Sequence, residues 1–396
     1  MLNILILGNG GREKIIGESL SKNNCIYEYS SNNFLEIEEF CIKNKIDLVI
    51  PSTETYLCEG IVDYLNNKIN VKIFGPTKKQ AEIEGSKYFS KTLMKELNIP
   101  TADFNYYKDL NELNKALHET YINHNNIVIK YSGLASGKGV YLPKDNTEGE
   151  MIVKTLYKNN NNNWEGVIIE NRLFGREVSI MGFCNGSEVF LMPQSQDYKR
   201  LNDGDQGPNT GGMGAICPVN VLTEDELNEV RKHMNKVVKT LNYKGVLYAG
   251  ILKTSDGVYF LEFNCRFGDP EAQVILNLLE SDLCSVLQDC INEKKPDLRW
   301  KNNYAANVVL SHKDYPFSKL KNPIEININN EIDCNIKMYE SNVTIVKNKK
   351  FTSGGRVMSI VSVDKSIEKA LENIYNNINK IKYDGMFYRK DIGSNI

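Results

Sequence analysis

One segment constrains this chain more than any other: Phe260-Leu261-Glu262-Phe263-Asn264-Cys265-Arg266-Phe267-Gly268-Asp269-Pro270-Glu271. It begins as an apolar strand, and residues two apart in a strand share a face. Glu262 and Asn264 therefore project together, and Leu261 and Phe263 are expected in a core on the other side. Two oxygen ligands on one face suit Mg²⁺, which takes few protein ligands and keeps phosphate oxygens and waters. Just beyond, Arg266 and Asp269 offer opposite charges to the carboxylate and ammonium of a small amino acid. A lone Glu-x-Asn strand is common in structural sheets, so the rest of the chain has to discriminate.

Its order of elements does so in part. Leu2–Leu7, Leu48–Ile50 and Val71–Phe74 read as strands, each followed by a loop and a helical pattern. That alternation argues a parallel sheet with helices on both faces. An amphipathic pattern from Lys78 to Leu97 predicts one long helix, ending at Ile99-Pro100. The strands that follow, Ile127–Lys130, Val140–Leu142, Val167–Glu170, Glu177–Phe183 and Val189–Met192, are closely spaced. They predict a largely antiparallel sheet with few helices. A polar, glycine-rich run (Gln194–Gly214), a helix (Thr223–Leu241) and strands Leu247–Lys253 and Val258–Phe263 come next. From about Lys301 strands and one helix, Ser366–Ile381, close the chain. The expected class is multidomain, α/β then α+β, with units at 1–99, 100–300 and 301–396. The middle unit divides into lobes of about 100–175 and 176–300.

Composition narrows the chemistry. Lys+Arg (48) and Asp+Glu (50) nearly cancel, so no global field draws nucleic acid or an anionic membrane. No apolar run approaches the roughly 20 residues that span a bilayer. The start, MLNILILGNGG, lacks a basic stretch and a cleavage site and reads as a first strand. Nine scattered cysteines without a CxxC spacing read as free thiols of a reducing cytoplasm. The four histidines lie outside every motif, and no Ser-His-Asp or Cys-His arrangement is apparent. The chemistry must then be electrostatic, with cations and a metal acting on phosphate.

Four further segments fit that reading. Gly8-Asn9-Gly10-Gly11-Arg12-Glu13 follows a strand and opens a helix, where backbone amides bind anions; a structural tight turn would look the same. Lys130 ends a strand, and a small-residue loop with Gly137, Lys138 and Gly139 returns as another. Two lysines there can neutralise triphosphate, although a plain hairpin with surface lysines has the same sequence. Glu170 at a strand end suits an adenine amino group or a ribose hydroxyl, as would a solvated loop charge. Finally, Ser195–Arg200 leads to Gly207-Pro208-Asn209-Thr210-Gly211-Gly212-Met213-Gly214, whose glycines predict exposed backbone amides.

Taken together these residues resemble the phosphoribosylamine–glycine ligase (glycinamide ribonucleotide synthetase) family of the ATP-grasp superfamily. The matching runs include GNGGRE (8–13), EGSK (84–87), GLASGKGV (133–140), SQDYKR (195–200), GPNTGGMGA (207–215), LEFNCRFGDPE (261–271), SGGRV (353–357) and DGMFYRKDIG (384–393). The resemblance implies an N-terminal domain, two ATP-grasp lobes around nucleotide, and a C-terminal domain. It implies ATP contacts from Lys87, Lys130, Gly137, Lys138, Gly139, Glu170 and Glu177, and Mg²⁺ or Mn²⁺ on Glu262 and Asn264. Gly10, Gly11, Arg12 and Glu13 would receive the ribose 5-phosphate, and Asp197, Lys199, Thr210, Gly211, Gly212, Arg266 and Asp269 the remaining substrate groups. Arg266 and Lys138 are the expected catalytic pair, and the loop at Gly137–Gly139 the expected lid. The implied reaction makes glycyl phosphate from glycine and ATP, which phosphoribosylamine then captures. Three positions depart from the family: Lys14 where it has His, no PGN-type segment in Tyr27–Ile37, and Ser132 where it favours an acid.

Two other readings compete: an ATP-grasp ligase joining a different carboxylate and amine, and a nucleotide-binding protein that no longer ligates. Turnover dependent on both glycine and phosphoribosylamine separates them. The expected partners are small molecules only, with no nucleic acid and no membrane, for a cytoplasmic monomer.

Overall fold

The computed structural model describes residues 1–123, 126–135, 139–160, 163–317, 322–329 and 331–394. The first sheet is parallel throughout, in the order Cys25–Tyr29, Asn3–Leu7, Leu48–Pro51, Lys72–Ile73. Aliphatic side chains on both faces of Asn3–Leu7 require cover on both sides. Ile4 and Ile6 pack with Ile15 and Ile16 of helix Gly11–Leu20, while Leu5 and Leu7 pack with Leu57 and Ile61 opposite. Helices thus leave the neighbouring central strands toward opposite faces. The crevice between the loops at Gly8 and Ser52 is where such sheets bind ligands.

The helix expected over Lys78–Leu97 is two helices, Lys78–Gly85 and Lys87–Glu96. Ser86 breaks it: its backbone is extended and its Oγ accepts from Phe89 N at 3.2 Å, an N-cap of the second helix. The break puts Glu84 at the end of one helix and Lys87 at the start of the next.

An antiparallel sheet follows, ordered Phe104–Tyr107, Val167–Asn171, Ile127–Tyr131, Val140–Tyr141. Contrary to the expectation of few helices, two cover it, Leu110–Asn123 and Asn146–Asn159. Leu113, Leu117, Val153 and Leu156 join Ile127, Ile129, Val167 and Ile169 in its core. Their spacing is helical, but intervening Asn, Lys and Glu residues dilute it. The larger lobe is antiparallel in the order Val189–Leu191, Arg176–Asn185, Lys244–Thr254, Gly257–Asn264. Thr223 caps the long helix Glu224–Leu241 by a reciprocal pair with Glu226.

Strands Gln196–Asp197 and Gly214–Cys217 do not join that lobe's sheet. They extend the sheet of Tyr304–His312, Arg356–Asp364 and Ile336–Glu340, so the middle and C-terminal regions share hydrogen-bonded strands. Helix Ile367–Ile378 packs across it, with Ser366 as N-cap. All nine cysteines are free thiols. Among the described residues no helix is long and apolar enough to cross a membrane.

Candidate active site

The strand Gly257–Asn264 pairs with Lys244–Thr254, but the register shifts so that Ala249, Gly250 and Ile251 oppose Phe263, Glu262 and Phe260. Leu261 is therefore a bulge residue. It is only partly buried, and Phe260 with Phe263 fills the core in place of the expected Leu261 and Phe263. A bulge disrupts the ladder and frees backbone groups. The Phe260 carbonyl accepts from Thr101 Oγ1 at 2.6 Å and the Leu261 carbonyl from Lys130 Nζ at 3.2 Å. The next residue is Glu262, whose side chain has no hydrogen bond or ion pair among the described residues, and the same holds for Asn264. Burial pushes the Glu262 carboxyl up, but the surrounding Lys87, Lys199, Lys130 and Arg266 charges bring it below its ordinary range. An ionised carboxylate without a protein partner beside an amide oxygen fits a divalent cation. No cluster of three His, Cys, Asp or Glu side chains suited to a metal exists among the described residues, so remaining ligands would come from substrate oxygens and water.

Lys130 is buried at 5% exposure and ion-paired to Glu170 Oε1. Burial raises the Glu170 carboxyl; Lys130 and then Lys91 outweigh it and hold it low. Lys91, which no motif singles out, lies 2.7 Å from Glu170 Oε2. Lys87 and Tyr88 donate their backbone amides to the carbonyl and Oγ of Ser132, at 2.7 and 3.2 Å. Ser132 thus docks the helix that bears Lys87 onto the strand that bears Lys130. Gly139 O accepts from Tyr131 N at 2.9 Å, which closes the loop; Gly137 and Lys138 lie outside the described residues.

On the larger lobe Lys199 Nζ is 3.0 Å from Glu177 Oε2. Burial works against the Lys199 charge, but Glu177, Tyr248, Glu262 and Asp197 raise it well above the ordinary lysine range. Asp197 Oδ1 is buried and unpartnered, and burial, then Glu271, pushes that carboxyl well up. The Gly211 and Gly212 amides of the glycine-rich run are not exposed as expected. Gly211 N donates to Tyr315 Oη at 2.7 Å and Gly212 N to Thr210 Oγ1 at 3.0 Å, while Thr210 Oγ1 itself donates to Lys199 O. The run is a hydrogen-bonded frame behind Lys199.

The first loop and the turn after the Glu262 strand meet at Phe267. Its carbonyl accepts from Arg12 Nη1 at 3.0 Å and from Arg266 Nη1 at 3.1 Å. Arg266 also contacts Glu54 Oε2 at 3.2 Å and Glu84 Oε1 at 2.7 Å. Glu13 accepts from Gly10 N at 2.7 Å and from Ser52 Oγ at 2.8 Å, which ties the first loop across the sheet crevice. Among the described residues no hydrogen bond is made by the Gly11 or Arg12 amides at the helix start, a place suited to an anion. Asp269 is held on both oxygens, by Arg356 Nη2 at 2.8 Å and Gln273 Nε2 at 3.0 Å. Lys14 turns away to pair with Glu28.

Sequence reasoning misses Glu54, Glu84, Lys91 and Arg356. EGSK and SGGRV contain Glu84 and Arg356, but neither run by itself indicates a role for them. Glu54 and Lys91 carry no local signal, because their partners lie far along the chain.

The chain matches the family descriptions Phosphoribosylglycinamide synthetase N domain over residues 22–84, ATP-grasp (A) domain over 85–272 and C domain over 305–395. A phosphoribosylamine–glycine ligase from Caldanaerobacter subterraneus subsp. tengcongensis is 37% identical, over 99% of this chain and 100% of that protein. The crystal structure of a phosphoribosylamine–glycine ligase from Thermotoga maritima superposes with a TM-score of 0.82 at 29% identity, covering 98% of this chain and 100% of that one. The biotin carboxylase domain of a Hydrogenobacter thermophilus 2-oxoglutarate carboxylase, solved with MgADP and bicarbonate, shares the fold at a TM-score of 0.75 and 15% identity, over 98% of this chain and 92% of that one. The fold is ATP-grasp, and the chain belongs to the phosphoribosylamine–glycine ligase family.

Proposed function

We infer that this chain uses ATP to activate glycine as glycyl phosphate and transfers the glycyl group to 5-phosphoribosylamine, giving glycinamide ribonucleotide, ADP and phosphate. The observation that carries this is the junction at Phe267, where the anion-suited loop, Arg266 and the strand of Glu262 converge. A phosphate bound at the Gly11 and Arg12 amides, in the loop that Gly10 and Glu13 hold in shape, extends its sugar toward Arg266, and so toward the reacting carboxylate. The reading uses an N-terminal domain of 1–99, ATP-grasp lobes within 100–300 and a C-terminal domain of 301–396.

A glycine carboxylate oxygen attacks the γ-phosphorus, the bond to the β-phosphate oxygen breaks, and ADP leaves. The amine of phosphoribosylamine then attacks the acyl carbon and expels phosphate, losing one proton from nitrogen. Lys87, Lys130 and Lys138 hold the phosphates, and Glu177 with Gly137 and Gly139 completes the nucleotide contacts. Glu170 keeps Lys130 in line. Arg266 spends three N–H groups on protein acceptors, leaving two of its five for the glycine carboxylate. Asp197, whose buried Oδ1 has no hydrogen-bond partner among the described residues, takes the glycine ammonium, with Lys199 alongside on the reacting phosphate. Asp269 contributes charge rather than a free oxygen, and Thr210, Gly211 and Gly212 contribute the frame. Mg²⁺ or Mn²⁺ at Glu262 and Asn264 would supply neutralisation of the phosphate oxygens. Enclosure between the lobes protects an acyl phosphate that water would hydrolyse.

The test is product identification. Isotopically labelled glycine, ATP and 5-phosphoribosylamine should yield labelled glycinamide ribonucleotide by mass spectrometry. Label found only in unchanged glycine would end this reading.

A further inference from the structure

Lys91 sits in the helix Lys87–Glu96 with 2% of its surface exposed, outside every segment assigned to substrate. Burying an ammonium costs solvation, and a leucine or methionine at this place would avoid that cost. Its surroundings give the charge a task. Lys91 Nζ donates to Thr101 Oγ1 at 2.6 Å, and Thr101 Oγ1 donates to the Phe260 carbonyl at 2.6 Å. On its other side Nζ lies 2.7 Å from Glu170 Oε2, which accepts no aligned hydrogen bond and is held by charge. Glu170 Oε1 holds Lys130, and Lys130 Nζ donates to the Leu261 carbonyl. The contacts form a closed ring: Lys91, Glu170, Lys130, the bulge at Phe260–Leu261, Thr101, and back to Lys91.

The ring joins three parts of the molecule. Lys130 and Glu170 belong to the smaller lobe's sheet, the bulge belongs to the larger lobe's strand, and Lys91 belongs to the helix that begins with Lys87. Charge balance within it is uneven. Glu170 and Lys130 alone would form a neutral pair, and the carboxylate would compete with phosphate for the lysine. Adding Lys91 sets a second cation beside Glu170 and leaves the cluster one net positive charge. Burial and Lys130 draw Lys91 down to about 8, and Glu170 opposes them, so the group stays mainly charged at neutral pH.

We propose that Lys91 is a positioning residue for ATP. It neutralises and orients Glu170, so that Lys130 faces the phosphates with its charge uncompensated and fixed against the bulge preceding Glu262. The inference rests on the reading of Lys130 as a nucleotide-binding group.

The test uses the full chain with Lys91→Met, Lys91→Arg and Lys130→Ala, measuring ATP affinity (Kd) by calorimetry, KM for ATP and for glycine, and Tm. Lys91→Met should raise both Kd and KM for ATP about tenfold, with a smaller change in kcat and a glycine KM within about twofold. Lys91→Arg should recover most of the loss, since it keeps a cation with several donors. Wild-type ATP affinity in Lys91→Met, with affinity lost in Lys130→Ala, would overturn the proposal and leave Lys91 a helix anchor. Wild-type affinity in Lys130→Ala would overturn it differently, by removing the nucleotide reading beneath it. If Lys91→Met does not fold, the double variant Lys91→Met/Glu170→Gln removes the unbalanced carboxylate. Because Lys91 acts through Glu170, that double variant should bind ATP as Glu170→Gln alone does, and a further loss in the double variant overturns the proposal.

Discussion

Arg266 Nη2 lies 2.7 Å from Glu84 Oε1, and Glu84 Oε2 accepts the backbone N–H of Cys265 at the same distance. One carboxylate from a helix near residue 84 thus grips both the guanidinium and the turn that carries it. Burial raises the Glu84 carboxyl, and Arg266 is the main force restraining it. The two residues form a clasp between the first domain and the strand of Glu262. Arg266→Ala should therefore fail in two ways. A charge-assisted contact to the glycine carboxylate is worth about 1.5–3 kcal/mol, so kcat/KM for glycine should fall about tenfold to a hundredfold. The orphaned Glu84 should also lower Tm. Adding Glu84→Gln should restore Tm without restoring activity; recovery of both would make Arg266 a purely structural residue.

Glu262→Gln should act on metal dependence. The carboxylate has no protein partner among the described residues, so folding loses no ion pair when it is neutralised. The Mg²⁺ concentration for half-maximal rate should rise at least about tenfold with Tm nearly unchanged. An unaltered Mg²⁺ requirement with a lowered Tm would remove Glu262 from the metal site.

Gly10→Val addresses the other end. A Cβ at Gly10 would lie 2.7 Å from Glu13 Oε2, the atom that accepts the Gly10 amide. The branched side chain would dislodge Glu13 and block approach of phosphate to the helix start. Phosphoribosylamine should then bind more weakly, seen as a raised KM for that substrate, while ATP affinity and hydroxylamine-trapped glycyl phosphate persist. Lost ATP binding with normal amine affinity would show that the ends were assigned in reverse.

A pH dependence follows from Asp197. Its carboxyl is raised in the folded state by burial and Glu271, with Lys199 and Arg356 opposing. The folded protein then holds that proton more tightly than the unfolded chain. Its stabilising contribution is complete below the unfolded carboxyl value of about 3.9 and is lost as pH rises through the folded value. Asp197→Asn mimics the protonated form, so its Tm should match the parent near about pH 4 and exceed it increasingly toward about pH 8. A Tm difference that stays flat or shrinks with pH would contradict this, and the variant should lose most of its glycine affinity in either case.

What the sequence makes legible is local. The parallel first sheet, the Glu262–Asn264 strand and the loop at Gly8 all follow from periodicity and glycine placement within a few residues. Leu261 is misplaced because a bulge breaks strict alternation, and nothing in Phe-Leu-Glu-Phe-Asn marks it. The pattern from Lys78 reads as one helix because Ser86 keeps the apolar period on both sides of the break. The glycine amides at 211 and 212 are expected to be open, but their acceptors, Tyr315 and Thr210, are visible only once the chain has folded back. Lys91, Glu54 and Arg356 matter through partners 79, 212 and 87 positions away, beyond any local pattern.

The central claim is that ATP cleavage here is tied to two particular acceptors, glycine and then 5-phosphoribosylamine. The most direct measurement is steady-state ADP release with Mg²⁺ and ATP, omitting each acceptor in turn. The account predicts sustained release only when both are present, with glycinamide ribonucleotide formed one for one with ADP, and background rates when either is left out. Sustained release that ignores 5-phosphoribosylamine, or that needs a carboxylate other than glycine, would contradict it.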